Sequence, residues 1–270
     1  MATEVARRKP GLVERIGRST VGVADGLGYA GMLLFESVGY LLVGWRRGQP
    51  VRPRAIAEQM RQVGIEAIPI VLMLSMTVGL MLGIQFISAL SEFGAESEVV
   101  IAVAKSVTRE FGVLITGILV AGRSGSAFAA RIGSMTVSQE VDALAVIGIE
   151  PVRYLVAPAL LAMLVMMPML TIFADAVGLL GAALYCSPIL DVSISSFMMM
   201  AIKTLTFWDI GQGLAKSVMF ALLITLVGVA TGFGVSGGAE GVGRATTRAV
   251  VLSISSIVVA DMIFSFFVNR

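Results

Sequence analysis

The 270 residues include 20 Lys and Arg, 18 Asp and Glu, 57% hydrophobic residues, only 14% charged residues and no histidine. So little charge, with a mean hydropathy of +0.91, cannot cover a soluble surface, and the chain is read as a membrane protein. One cysteine, Cys186, excludes an internal disulfide and a cysteine-rich metal site. The missing histidine removes the commonest general base, which weakens most enzyme readings.

Half of the basic residues lie between Arg7 and Arg61, which places the amino-terminal segment in the cytoplasm. Arg7, Arg8, Lys9, Arg15 and Arg18 are scattered among polar residues, without the apolar core and cleavage site of a signal peptide, so the mature chain is expected to begin near Met1. Asp25 and Glu36 split Thr20 to Trp45 into apolar pieces of about ten residues, each too short to span. The weight falls on an interfacial helix with Trp45, Arg46 and Arg47 at headgroup level, and a further span is the alternative. Residues 1–64 are taken as cytoplasmic terminus and interfacial helix, and 65–268 as the membrane domain.

A crossing needs roughly 20 apolar residues, and five stretches qualify: about 67–91, 99–122, 154–187, 217–237 and 249–268. The first is uncharged, and Gly79 and Gly83, four apart, admit a close partner helix. The second is interrupted by Lys105, Arg109 and Glu110, each costing about 2.5 kcal/mol or more at mid-membrane, so it must face protein, water or a ligand. The third carries only Asp175 and reads as one long helix kinked near Pro158 or Pro168. Residues between Asp191 and Lys216 suit a short amphipathic helix at the outer interface, and the fifth span carries Asp261. The expected fold is all-α and polytopic. The loop after span one holds Glu92, Glu96 and Glu98, whereas Arg123, Arg131, Arg153, Arg244 and Arg248 follow spans two and four, which predicts amino terminus inside and carboxyl terminus outside.

The connection from Arg123 to Arg153 contains a short helix over about 136–148, with Thr136 and Gln139 in capping-box spacing and Gly148 and Pro151 as the stop. Val141, Leu144, Ala145 and Gly148 share one face, with Glu140 and Asp142 away from it. Docking on a protein and lying on the membrane surface both fit that pattern. The acidic residues tilt the reading towards a protein, since anionic lipid favours Lys and Arg.

The run AGRSGSAFAARIGSMTVSQEVDALAVIGIEPVRYLVAP, Ala121 to Pro158, closely resembles the signature of the MlaE/YrbE permeases, and SGGAEGVGRATTRAVV, Ser236 to Val251, resembles their second block. The resemblance covers about Gly22 to Phe267. It implies an inner-membrane permease subunit of an ATP-driven ABC transporter, moving phospholipids or related lipids between the inner membrane and a periplasmic MCE-domain protein. It also implies a cytoplasmic ATPase as partner, a second permease copy, and room for a small STAS-domain protein, with no cofactor and no nucleic acid. On that analogy the short helix is the coupling helix gripped by the ATPase. Where the signature reads AAEIG, this chain has Arg131 in AARIG, which leaves open any contact made at that position.

Within that resemblance Arg109, Glu110 and Lys216 match residues near a lipid cavity, where basic donors suit a phosphate headgroup. Arg61 reads as an interface anchor or a contact with the lipid pathway, and Arg244 with Arg248 as headgroup contacts, partners of the acidic coupling helix or positive-inside charge. Leu74, Val78, Leu82, Gln85 and Phe86 form a stripe that the resemblance raises to a candidate acyl-chain cavity. Asp175 and Asp261 read as helix-to-helix hydrogen-bonding groups. Gly122 to Gly125 spells GRSG, a protease-like match with no base to serve Ser124, and Gly237, Gly238, Gly241 and Gly243 lack the Lys-Ser or Lys-Thr of a phosphate loop. The competing reading is a secondary transporter or channel using Arg109, Glu110 and Lys216; a membrane lipid enzyme is disfavoured.

Overall fold

The computed structural model describes residues 12–43 and 51–268, which are helical with short connections and contain no strand. Trp45, Arg46 and Arg47, expected at the headgroup level, lie outside these described residues. Thr20 onwards belongs to α1 (Leu12–Val43), one continuous helix across both apolar pieces. Asp25 and Glu36 do not interrupt it, because carboxylates cost a helix little intrinsic propensity. Among the described residues, five helical segments after α1 are long and apolar enough to cross a membrane.

The first combines α2 (Pro53–Val63) and α3 (Ile68–Ser91) through a tight turn at Ile65–Ala67. Pro53 and Pro69 sit in first turns, where a missing N–H is harmless. Gly64 lies between them because a Cβ there would overlap the Met166 side chain. The second segment, α4, runs from Glu96 to Val137. At 1.5 Å per residue its 42 residues reach about 63 Å, twice a hydrocarbon core of roughly 30 Å. The helix runs on past the predicted end of the crossing near residue 122, through Arg123 and Arg131. Small residues carry it, since Gly125 packs on Ile224 and Gly133 on Val235, and neither arginine disfavours a helix.

The predicted capping box is likewise replaced. Thr136 is still inside α4, its hydroxyl donating to the Ile132 carbonyl at 2.9 Å, and Gln139 takes a left-handed φ of 59° just before α5 (Glu140–Val146). The stop is as read: Gly148 has φ 79°, with Gly148 N–H to Ala145 O at 3.0 Å and Ile149 N–H to Leu144 O at 2.9 Å closing the helix end.

Helix α6 (Val152–Ile189) passes through Pro168 without a break and is the most enclosed of the crossings. Its tightest partner is α3. A Cβ on Gly79 would strike the Gly178 carbonyl, one on Gly181 the Met76 carbonyl, and one on Gly83 the Cys186 sulfur, so backbones meet directly. The partner admitted by Gly79 and Gly83 is thus within the chain. Gly79→Leu is expected to destabilise the fold by about 3 kcal/mol or more, since backbone atoms cannot yield as a side chain can; a fall in Tm of the detergent-purified chain is the check.

The short α7 (Ile194–Thr204) is capped by Ser193, whose hydroxyl accepts from Ser196 N–H at 3.1 Å, and buries Phe197 and Ala201. Phe207 and Trp208, expected beside it, instead open α8 (Phe207–Phe233), ten residues ahead of the predicted start at 217. Thr206 and Asp209 cap that start reciprocally. Helix α9 (Gly238–Val268) also begins early, at the left-handed pair Gly237 and Gly238. One core gathers Met163, Met167, Leu170, Phe220 and Ile224, and a second gathers Val99, Val103, Ala182, Cys186 and Phe197. Along α9, by contrast, Val258, Val259, Met262, Ile263 and Phe267 are exposed.

Candidate functional site

Inside the bundle α4, α8 and α9 bring five charged side chains together. Asp209, Gly213 and Lys216 stand at spacings of four and three on one face of α8. A Cβ at Gly213 would collide with the Thr108 carbonyl, so this glycine sets how closely α8 approaches α4 at that level. There α4 widens into a π turn at Val107–Phe111, a feature that recurs at functional sites. Arg109 and Glu110 occupy it.

Arg109 Nε donates to Asp209 Oδ1 at 2.6 Å, and its Nη2 also reaches that oxygen. Asp209 Oδ2 accepts from the Thr206 backbone N–H and hydroxyl, both at 2.8 Å. Lys216 Nζ donates to Glu110 Oε2 at 2.6 Å, Ser265 Oγ at 2.8 Å and the Arg109 carbonyl at 3.2 Å. The Ser265 hydroxyl in turn donates a hydrogen bond to Glu110 Oε1 at 3.0 Å. Asp261 Oδ1, 2.9 Å from Nζ, is a second carboxylate partner of the same ammonium.

Asp209 and Lys216 are 0% and 1% exposed, whereas the Arg109 and Glu110 side chains are 31% and 32% exposed. The network thus has an enclosed half that fixes geometry and an accessible half that can meet a ligand. Its two cations face three carboxylates, and burying such charges is tolerable only because each is paired.

Arg109 and Glu110 do not pair with each other: each takes a different partner on α8. Asp261, read only as a hydrogen-bonding group, is an ionic partner of Lys216, and Asp209 was missed. Its spacing ahead of Lys216 and its capping position after Thr206 were the available signals. Asp175 sits against Gly112, where a Cβ would overlap its Oδ1, and that oxygen has no hydrogen-bond partner.

The other candidates lie elsewhere. Arg61 pairs with Glu58 at 2.8 Å and Glu66 at 2.6 Å, beyond the network. Arg244 pairs with Glu240 one turn away at 3.1 Å rather than with α5, and Arg248 is exposed. Of the acyl-chain stripe, Leu82 is packed inside the second core, Val78 and Phe86 lean on that core, Leu74 is half-buried and Gln85 is exposed. On α5 the predicted docking face is divided. Val141 and Leu144 are half-buried, with Val141 against the first core, while Glu140, Asp142, Ala145 and Gly148 are exposed. The large apolar side chains turned outward here are Val146 and Ile147, at the end of α5, 87% and 68% exposed.

Five helical segments able to cross a membrane, three of them joined by a partly buried ionic network, with a short helix between the second and third, define a polytopic membrane protein. The chain belongs to the MlaE permease family, whose model matches residues 56–267. It is 31% identical over 254 residues to a probable ABC transporter permease protein of Rickettsia typhi, covering 92% of this chain and 96% of that one. It is 30% identical over 254 residues to the intermembrane phospholipid transport system permease protein MlaE of Haemophilus influenzae, covering 94% and 95%. A chloroplastic protein of Arabidopsis thaliana, TRIGALACTOSYLDIACYLGLYCEROL 1, is 36% identical over 214 residues, which are 79% of this chain and 61% of that longer protein.

Proposed function

We propose that the chain is the permease subunit of an ATP-driven transporter that moves phospholipid between the inner membrane and a periplasmic MCE-domain carrier. Family membership and the printed function of the Haemophilus relative support the substrate class. The observation that carries a role for this particular site is the half-open ionic network: Arg109 offers a guanidinium for a phosphate diester, and Lys216 and Asp209 hold the accessible pair in place from behind. In this reading hydrolysis belongs to a separate cytoplasmic ATPase that grips α5. The amino terminus is cytoplasmic and the carboxyl terminus periplasmic. A second copy covers part of the exposed apolar surface, and Leu74, Val78, Gln85 and Phe86 border the acyl chains. A STAS-domain subunit is compatible with this arrangement.

Mutation of the accessible pair tests the reading. In vesicles reconstituted with the purified complex, Arg109→Ala and Glu110→Ala are each expected to slow transfer of labelled phospholipid by about tenfold or more, the scale of one charge-assisted contact. The complex should still assemble. Unchanged transfer in both variants rejects the assignment, and ion flux in place of lipid transfer would favour a secondary transporter.

A further inference from the structure

A second polar feature lies well away from the network. Between α2, the turn at Ile65–Ala67 and the later part of α4 is a cavity of about 350 Å³, lined on its polar side by Arg61, Gln62, Glu66, Arg123, Ser124 and Arg131. Arg123 is fourteen residues along α4 from Arg109, about 21 Å at 1.5 Å per residue, so the two sites are separate. Three guanidiniums line the cavity against one carboxylate.

That carboxylate is fully engaged. Glu66 Oε1 accepts from Arg61 Nη1 at 2.6 Å and Oε2 from Arg123 Nη2 at 2.8 Å, while Arg123 Nη1 donates to the Gln62 carbonyl at 2.8 Å. Arg131 is different. It forms no ion pair among the described residues, and the groups facing it are neutral: Tyr154, and Gln59, whose amide oxygen, when turned towards the guanidinium, accepts from Nη1 at 2.5 Å and Nη2 at 3.2 Å. Its Nε is buried with no hydrogen-bond partner. A half-buried guanidinium without a counter-charge is an unfavourable arrangement that an anion would relieve.

We propose that this cavity binds a phosphate-class anion, with Arg131 as principal donor and Arg61, Arg123 and the Ser124 hydroxyl completing the site. Forked guanidiniums match phosphate oxygens two at a time. Val63 and Phe128 form apolar wall on the same cavity, which lowers the local dielectric and strengthens those contacts. The anion is a lipid headgroup phosphate or a free phosphate, two sources with one recognition chemistry. The site stands whether or not the chain carries lipid through its network.

The test is equilibrium binding to the purified full-length chain in neutral detergent, with dihexanoyl phosphatidic acid and inorganic phosphate as separate probes. Saturable binding of at least one probe is expected, weakened about tenfold or more by Arg131→Gln and partly restored by Arg131→Lys. Saturation by the lipid probe alone identifies a headgroup site, and saturation by inorganic phosphate identifies a soluble-anion site. If Arg131→Gln does not purify as a folded protein, Arg61→Gln decides, because that side chain is 53% exposed and its loss leaves the packing intact. Absence of saturable binding by both probes, or affinity unchanged in the folded variants, overturns the proposal.

Discussion

Replacing Lys216 with methionine is expected to destabilise the folded chain by about 3–5 kcal/mol, the cost of leaving buried charge without its partner. The ammonium is 1% exposed and serves Glu110, Ser265, Asp261 and the Arg109 carbonyl at once. Its removal leaves three carboxylates with Arg109 as the one cation in the network. Apolar bulk is not the issue, since methionine fills a similar volume; the loss is electrostatic. Neutralising the carboxylates as well, in Lys216→Met with Glu110→Gln and Asp261→Asn, should therefore recover most of the lost stability. A Tm series on detergent-purified variants measures this. A triple variant as unstable as the single one would contradict an electrostatic origin. In the transport reading the rescued triple variant folds yet remains deficient in lipid transfer, because the accessible carboxylate is gone.

The second large effect concerns α5. Val146→Asp with Ile147→Asp is expected to abolish stable association with the partner ATPase, at a cost of about 2 kcal/mol per side chain, or roughly thirtyfold in affinity each. Both positions are exposed in the isolated chain, so their substitution leaves its own packing intact. Leu144→Asp is a poorer probe, as Leu144 is half-buried and its loss would disturb the chain itself. Copurification from membranes reads the outcome: variants that retain the ATPase at wild-type stoichiometry would remove α5 as the coupling element.

The cores of the five crossings were legible because lipid demands long uncharged runs, and the stretch from Ala67 to Ser91 or around Met163 admits no other reading. Their ends were not. Helices α4, α8 and α9 extend beyond the apolar runs into sequence rich in glycine, serine and arginine, where tertiary packing at Gly125, Gly133 and Gly213 sustains the helix and hydropathy is silent. Thr136 shows the same competition: its hydroxyl bonds back to Ile132, in the last turn of the helix that precedes the one it was expected to begin. Within the site, intramembrane charge pointed to Arg109, Glu110 and Lys216, but partners depend on which faces meet. That is a three-helix property, and it made Asp261 and Asp209 ionic partners that linear spacing did not reveal.

The most direct test of the account is the ATP dependence of phospholipid transfer by the complete purified complex in sealed vesicles. Transfer should proceed with ATP and stop with a non-hydrolysable analogue, in wild-type complex and not in one carrying Val146→Asp and Ile147→Asp. Equal transfer with and without ATP hydrolysis would contradict a permease driven by a partner ATPase.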